Sequence, residues 1–221
     1  MPSTTFFNLS ASKRQRIIDA AVDEFASAPY ARAKLDRIVD AAGVSKGSLY
    51  QYFDGKADLY RWLLTEYLAS KKLAAIGAGA PPAGASVWTV LEHAFLAGVR
   101  FAAAEPSLAQ LGARFIRDHE LEPELAAVAQ QHKAMSEAWL SELLTSAQQR
   151  HELRSDVDIS VAVGFLLHAL GEGMLDQLAR RLGMSLEALL ATPDASARLN
   201  DEELLALVRS VTDLFCHGAG A

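Results

Sequence analysis

Apolar residues recur along this chain at three- and four-residue intervals, and nowhere does a Val- or Thr-rich run alternate with polar positions over the length of a strand. Helices are the regular element that this pattern leaves available. Ala, Leu, Glu, Arg and Gln dominate, and they are strong helix formers, so an all-α fold is expected. Helix breakers then cut the chain into elements. Pro29 closes a first helix from about Ala11 to Ser27, whose Ile17, Ile18, Ala21, Val22 and Phe25 share one face. Short helices are expected at 35–42 and 46–53, and a long one from Lys56 to about Ala75. The stretch from Gly77 to Ser86, rich in Gly, Pro and Ala, cannot continue a helix and reads as a linker. Beyond it, helices are expected near 87–104, 107–118, 123–150, 158–182 and 201–217, with Pro106 and Pro123 at helix starts. Gly183 suits a helix stop, and a short extra helix is expected at Ser185–Ala191.

The net charge of −6 argues at first against nucleic acid, but its distribution does not. Residues 1–76 carry 11 Lys/Arg against 8 Asp/Glu, a net of +3, whereas residues 77–221 carry 10 against 19, a net of −9. A basic end can meet phosphate while an acidic remainder is repelled by it, which helps orient the molecule. Charged residues break the longest apolar runs short of a bilayer span, so no membrane crossing is expected. Met1 to Ser12 lacks the basic start and apolar stretch of a signal peptide. The single cysteine, Cys216, can form no internal disulfide, and an intracellular, cytoplasmic protein is the expectation.

The informative segment runs from Ala41 to Phe53. Gly43 can take the positive φ that a tight helix-to-helix turn needs, and Ser45 can cap the helix that follows. Leu49 and Phe53 lie one turn apart and would anchor that helix to Ile38, Val39 and Val44. The opposite face holds Gly47, Ser48 and Gln51. Small residues at its start let the backbone approach DNA, and Ser48 and Gln51 can reach base edges in a major groove. Tyr50 and Tyr52 project from the two flanks, about 160° apart on a 3.6-residue helix, so one can be buried but hardly both. Each hydroxyl is a candidate for phosphate. Lys46 and Lys56, at the starts of successive helices, supply positive charge.

On these residues the chain resembles the TetR family of transcriptional regulators. The similarity spans residues 13–63: Arg16 to Ala21, then Phe25, Ile38, the run Ala42 to Phe53, and Lys56-Ala57-Asp58-Leu59. The resemblance implies a three-helix, helix-turn-helix head joined to a helical ligand-binding and dimerisation body, here residues 1–55 and 56–221. It implies a homodimer that binds double-stranded operator DNA as a repressor and is released by a small apolar effector, with no cofactor. Family DNA contacts carry over to Lys46, Gly47, Ser48, Tyr50, Gln51, Tyr52 and Lys56, with Ser45 as the cap. Two positions depart from the family pattern. Pro29 precedes Tyr30 where many relatives have glycine. Ala33-Lys34 stands where relatives often place a Thr or Ser that caps the next helix and touches phosphate. Lys34 can replace the phosphate contact by charge but cannot cap, and Arg32 is a second candidate there.

The body is less informative. Bulky residues interleaved with Ala and Gly suit either a mostly apolar cavity or an ordinary core. Arg114, His132, Trp139, Phe165, His168 and Glu172 are the candidates to contact a ligand. His168, Glu172 and Asp176 recur every fourth residue, but three ligands along one helix make poor metal geometry, and a polar seam is expected instead. His93 is expected on a solvated face. The helices near 158–182 and 201–217 are apolar around much of their circumference and suit a four-helix dimer seam. Two other readings stay open: an architectural DNA binder without ligand, and a helical enzyme with an accessory head, although no catalytic cluster is visible.

Overall fold

The computed structural model describes residues 1–118, 122–169, 173–185, 188–189, 192 and 195–219, and the regular elements among them are helical. The helices are α1 (Thr4–Phe7), α2 (Ala11–Ser27), α3 (Leu35–Ala42), α4 (Lys46–Tyr52), α5 (Lys56–Trp62), α6 (Ala69–Gly77), α7 (Val87–Ala104), α8 (Pro106–Asp118), α9 (Pro123–Gln149), α10 (Ile159–His168), α11 (Met174–Arg181) and α12 (Asp201–Ala219). Between α5 and α6 the chain stays helical but widens to a π-helix over Leu63–Leu68. Ala28 is pushed into extended backbone before Pro29, which ends α2 where the proline predicts. The expected single helix at 158–182 is helical over α10 and again over α11. Most of the expected helix at Ser185–Ala191 lies outside the described residues.

The chain forms two compact units. The first comprises Met1–Lys71 with Glu105–Gln131, and the second Lys72–Ala104 with His132–Ala221. In the first, α2 packs against both α3 and α8. Its core contains Ile17, Phe25, Ile38, Leu49, Leu59, Tyr60, Leu63 and Leu111. Phe6 of α1, absent from the expected elements, is fully buried in the same unit.

The second unit holds two apolar clusters. One gathers Leu96 of α7, Met174 and Leu178 of α11, and Leu204, Leu207 and Val208 of α12. The other gathers Val87 and Leu91 of α7, Leu140 and Leu144 of α9, and Val163 and Leu166 of α10. Helix α7 has the length and mean hydropathy, 1.2, of a membrane crossing, which the sequence did not lead us to expect. Two of its charged residues are ion-paired to α12: Glu92 lies 3.6 Å from Arg209, and Arg100 lies 2.8 Å from Asp201. His93 is not on a solvated face. It is half-buried, with Nε2 2.6 Å from the Ile76 carbonyl, one of the unpaired carbonyls at the end of α6.

Candidate nucleic-acid interface

The helix-turn-helix is built by local rules. At the end of α3, Gly43 adopts φ +65°, and the following Val44 N–H donates to the Val39 carbonyl at 3.0 Å. A Cβ at Gly43 would meet no neighbour within 4 Å, so glycine is required there by conformation rather than by space. Ser45 then caps α4: its Oγ accepts the Ser48 N–H at 3.1 Å and lies 2.8 Å from the Ser48 hydroxyl.

The inner face of α4 is Leu49 and Tyr52, with Phe53 as the residue that ends the helix, all buried. The outer face is Gly47, Tyr50 and Gln51, with Ser48 half-buried. The two tyrosines part as their angular separation requires. Tyr50 is 53 % exposed and Tyr52 only 5 %. The Tyr52 ring does not stand free on the groove flank as expected; it packs with its centroid 6.0 Å from that of Phe6. Phe6 also meets Phe53 and Trp62 at centroid distances of 4.9 and 5.2 Å. Ser3, just ahead of α1, donates its N–H to the Tyr52 carbonyl at 2.9 Å and its hydroxyl to the Gln51 carbonyl at 2.7 Å. These are carbonyls that a helix end leaves unpaired, so α1 closes α4 at its C-terminus. The signal for this arm was the pair Phe6-Phe7 in an otherwise polar start.

The cations differ in freedom. Lys46 is exposed and 2.6 Å from Asp36, whose hydrogen bond and charge hold its ammonium above the ordinary lysine value. Lys56 Nζ donates to the Tyr30 carbonyl at 2.8 Å and sits 4.2 Å over the Tyr30 ring. It is tied inward, whereas Lys34 and Arg32 are exposed. Lys34 makes no side-chain cap for α3, as its chemistry requires. Its backbone N–H donates instead to Glu24 of α2, at 2.9 Å. Sequence reasoning missed Glu24, although its place beside Phe25 and three residues after Ala21 puts it near the buried face of α2.

Arg114, considered above as a ligand contact, is committed elsewhere. Its Nε and Nη2 donate to the Ala26 and Ser27 carbonyls at 2.5 and 3.1 Å, at the end of α2. One turn on, Asp118 accepts the Tyr30 N–H at 2.8 Å. Buried Tyr60 lies among Phe25, Tyr30 and Phe115, and burial, reinforced by the Asp118 charge, pushes its hydroxyl above the ordinary tyrosine value. The other described ligand candidates lie in the second unit. His132 is half-buried, and burial followed by the Lys72 charge lowers its pKa. Trp139, Phe165 and His168 are exposed, and Glu172 lies outside the described residues.

A family model described as bacterial regulatory proteins, tetR family, matches residues 17–62. The HTH-type transcriptional regulator SrpR of Pseudomonas putida is 43 % identical over 51 residues, 23 % of this chain and 24 % of that relative. The match therefore spans about a quarter of the relative's length. The crystal structure of a TetR family transcriptional regulator from Chloroflexus aurantiacus J-10-fl superposes with a TM-score of 0.73 at 29 % identity, covering 100 % of this chain and 99 % of that one. The FadR regulator of Bacillus subtilis, solved in complex with stearoyl-CoA, shares the fold with a TM-score of 0.64 at 20 % identity, over 92 % of this chain and 98 % of its own.

Proposed function

This chain belongs to the TetR family of bacterial regulatory proteins, and from that premise we propose that it is a cytoplasmic repressor whose α4 reads operator DNA. The observation that carries this reading is the two-faced α4: Leu49, Tyr52 and Phe53 are buried beneath it, while Gly47, Tyr50 and Gln51 are exposed above. Gln51 and Ser48 contact base edges, Tyr50 a phosphate on the groove wall, and Lys46 and Lys34 the backbone. Ser45 supports that surface as the helix cap, and Tyr52 and Lys56 support it from below. Functionally, residues 1–55 bind DNA and 56–221 form the body that binds effector and partner.

The homodimer uses α10 and α12. What supports this is the exposure of Val161 and Phe165, one turn apart on α10, and of Leu214 on α12. Two α4 helices about 34–36 Å apart then match half-sites one helical turn apart. A small apolar effector in the body, near His132, Trp139 and His168, favours a state that fits DNA poorly and releases the repressor. The Bacillus subtilis regulator, solved in complex with stearoyl-CoA, is a precedent for a small molecule bound to this fold.

The test begins with a duplex enriched by the wild-type protein from a randomised DNA pool. Gln51→Ala should lower the ratio of affinity for that duplex over random DNA. Lys34→Ala should weaken both alike and flatten the slope of log K against log salt by about 1. An unchanged ratio for Gln51→Ala would remove the assignment of base contact.

A further inference from the structure

Helix α3 begins without the hydroxyl cap that such a helix usually carries. Its N-cap position is Lys34, which offers no side-chain acceptor, and Arg37 occupies the third helical position, where a capping box would place a glutamate. A capping-box glutamate reaches back to the N-cap N–H. Here that same N–H is taken by the Oε1 of Glu24, 2.9 Å away on a different helix. Arg37 Nη1 lies 3.6 Å from the same oxygen, so the residue at the third position steadies the carboxylate that replaces it. Glu24 is 8 % exposed, a buried charge with a backbone donor and a guanidinium as its partners. Its place near the N-terminus of α3 also opposes the positive end of the helix dipole.

We propose that Glu24 is a positioning residue for DNA binding, acting as the cap of α3 from outside the helix. Glu24 thus supplies from another helix the half of a capping box that position 37 lacks, and it holds the backbone of the residue that carries a lysine to phosphate. The role in DNA binding rests on the reading of α4 as the recognition helix; the capping role does not. Glu24 touches no DNA itself. It sets where α3 starts and therefore where Lys34 points.

The test uses the full chain and the duplex enriched by the wild type, at a temperature where circular dichroism shows every variant folded. Glu24→Leu should lower Tm by about 2–4 °C, the effect of losing one cap in a chain of this size, and weaken binding to the duplex about tenfold. Glu24→Gln keeps an acceptor for the Lys34 N–H and should bind within about twofold of wild type. Arg37→Glu supplies the decisive sign. In the wild type it sets two carboxylates together and should lower Tm. In the Glu24→Leu background it supplies the half of a capping box that reaches back to the Lys34 N–H and should raise Tm. If Arg37→Glu lowers Tm equally in both backgrounds, the cap is refuted, whatever the DNA result. If the sign reverses but Glu24→Leu binds the duplex as tightly as wild type, the positioning role is refuted. A wild-type protein that enriches no duplex overturns the DNA-binding reading, and the reversal in Tm then upholds the cap alone.

Discussion

Ser45 does at the start of α4 what Ser3 does at its end: each pairs backbone groups that the seven-residue helix cannot pair for itself. So short a helix has little stability of its own and depends on its ends and its buried face. Ser45→Ala should therefore cost about 1 kcal/mol in urea unfolding and weaken operator binding in step. Unchanged stability would mean that the Ser45 cap contributes nothing. At this scale legibility follows the reach of the interaction. Gly43, Ser45 and Leu49 answer to neighbours within a few positions, and their roles could be read from spacing. Tyr52, Lys56 and Arg114 could not, because their partners Phe6, Tyr30 and the Ala26 and Ser27 carbonyls stand far away in sequence. A lysine at a helix start reads the same whether it faces phosphate or a tyrosine ring.

Among elements, starts marked by proline and polar caps fell where the pattern put them, as at Pro106 and Pro123. The π-turn at Leu63–Leu68 was not legible, since its leucines satisfy a helical pattern of either pitch. Nor was the tie that fixes the beginning of α7. Glu152, in the turn after α9, accepts the Val87 N–H at 2.6 Å and the Arg150 Nε–H at 2.7 Å. Burial alone raises its carboxyl pKa, but Arg150 and the Val87 N–H outweigh burial and hold it below the ordinary value of 4.5. The stability it contributes is complete above that unfolded value and is lost as pH falls through the lower folded one. Glu152→Gln should lower Tm at neutral pH and flatten the fall of Tm on the acid side of pH 4.5, as read by calorimetry across a pH series. Parallel acid limbs for variant and wild type would exclude this carboxylate as a contributor.

For the whole molecule, the division of charge was visible in the sequence, while the division into units was not. Residues 105–131 join the first unit across an intervening segment, and no local signal announces such a return. The apolar circumference of α10 led to the proposed partner copy, and Phe165, 66 % exposed, and Leu214, 76 % exposed, are the apolar side chains it would cover. Phe165→Glu should give a folded monomer in sedimentation velocity at micromolar concentration; a folded dimer would move the seam elsewhere. The same long view bears on the π-turn of Leu63–Leu68. An α-helix advances about 100° per residue and the wider π-turn advances less, so excising one residue there could restore regular α turns while leaving every later side chain of that helix near its present angle. Elsewhere in the helix the count of residues cannot change by one without re-aiming α6, whereas here the wide turn can give up one residue and keep that aim.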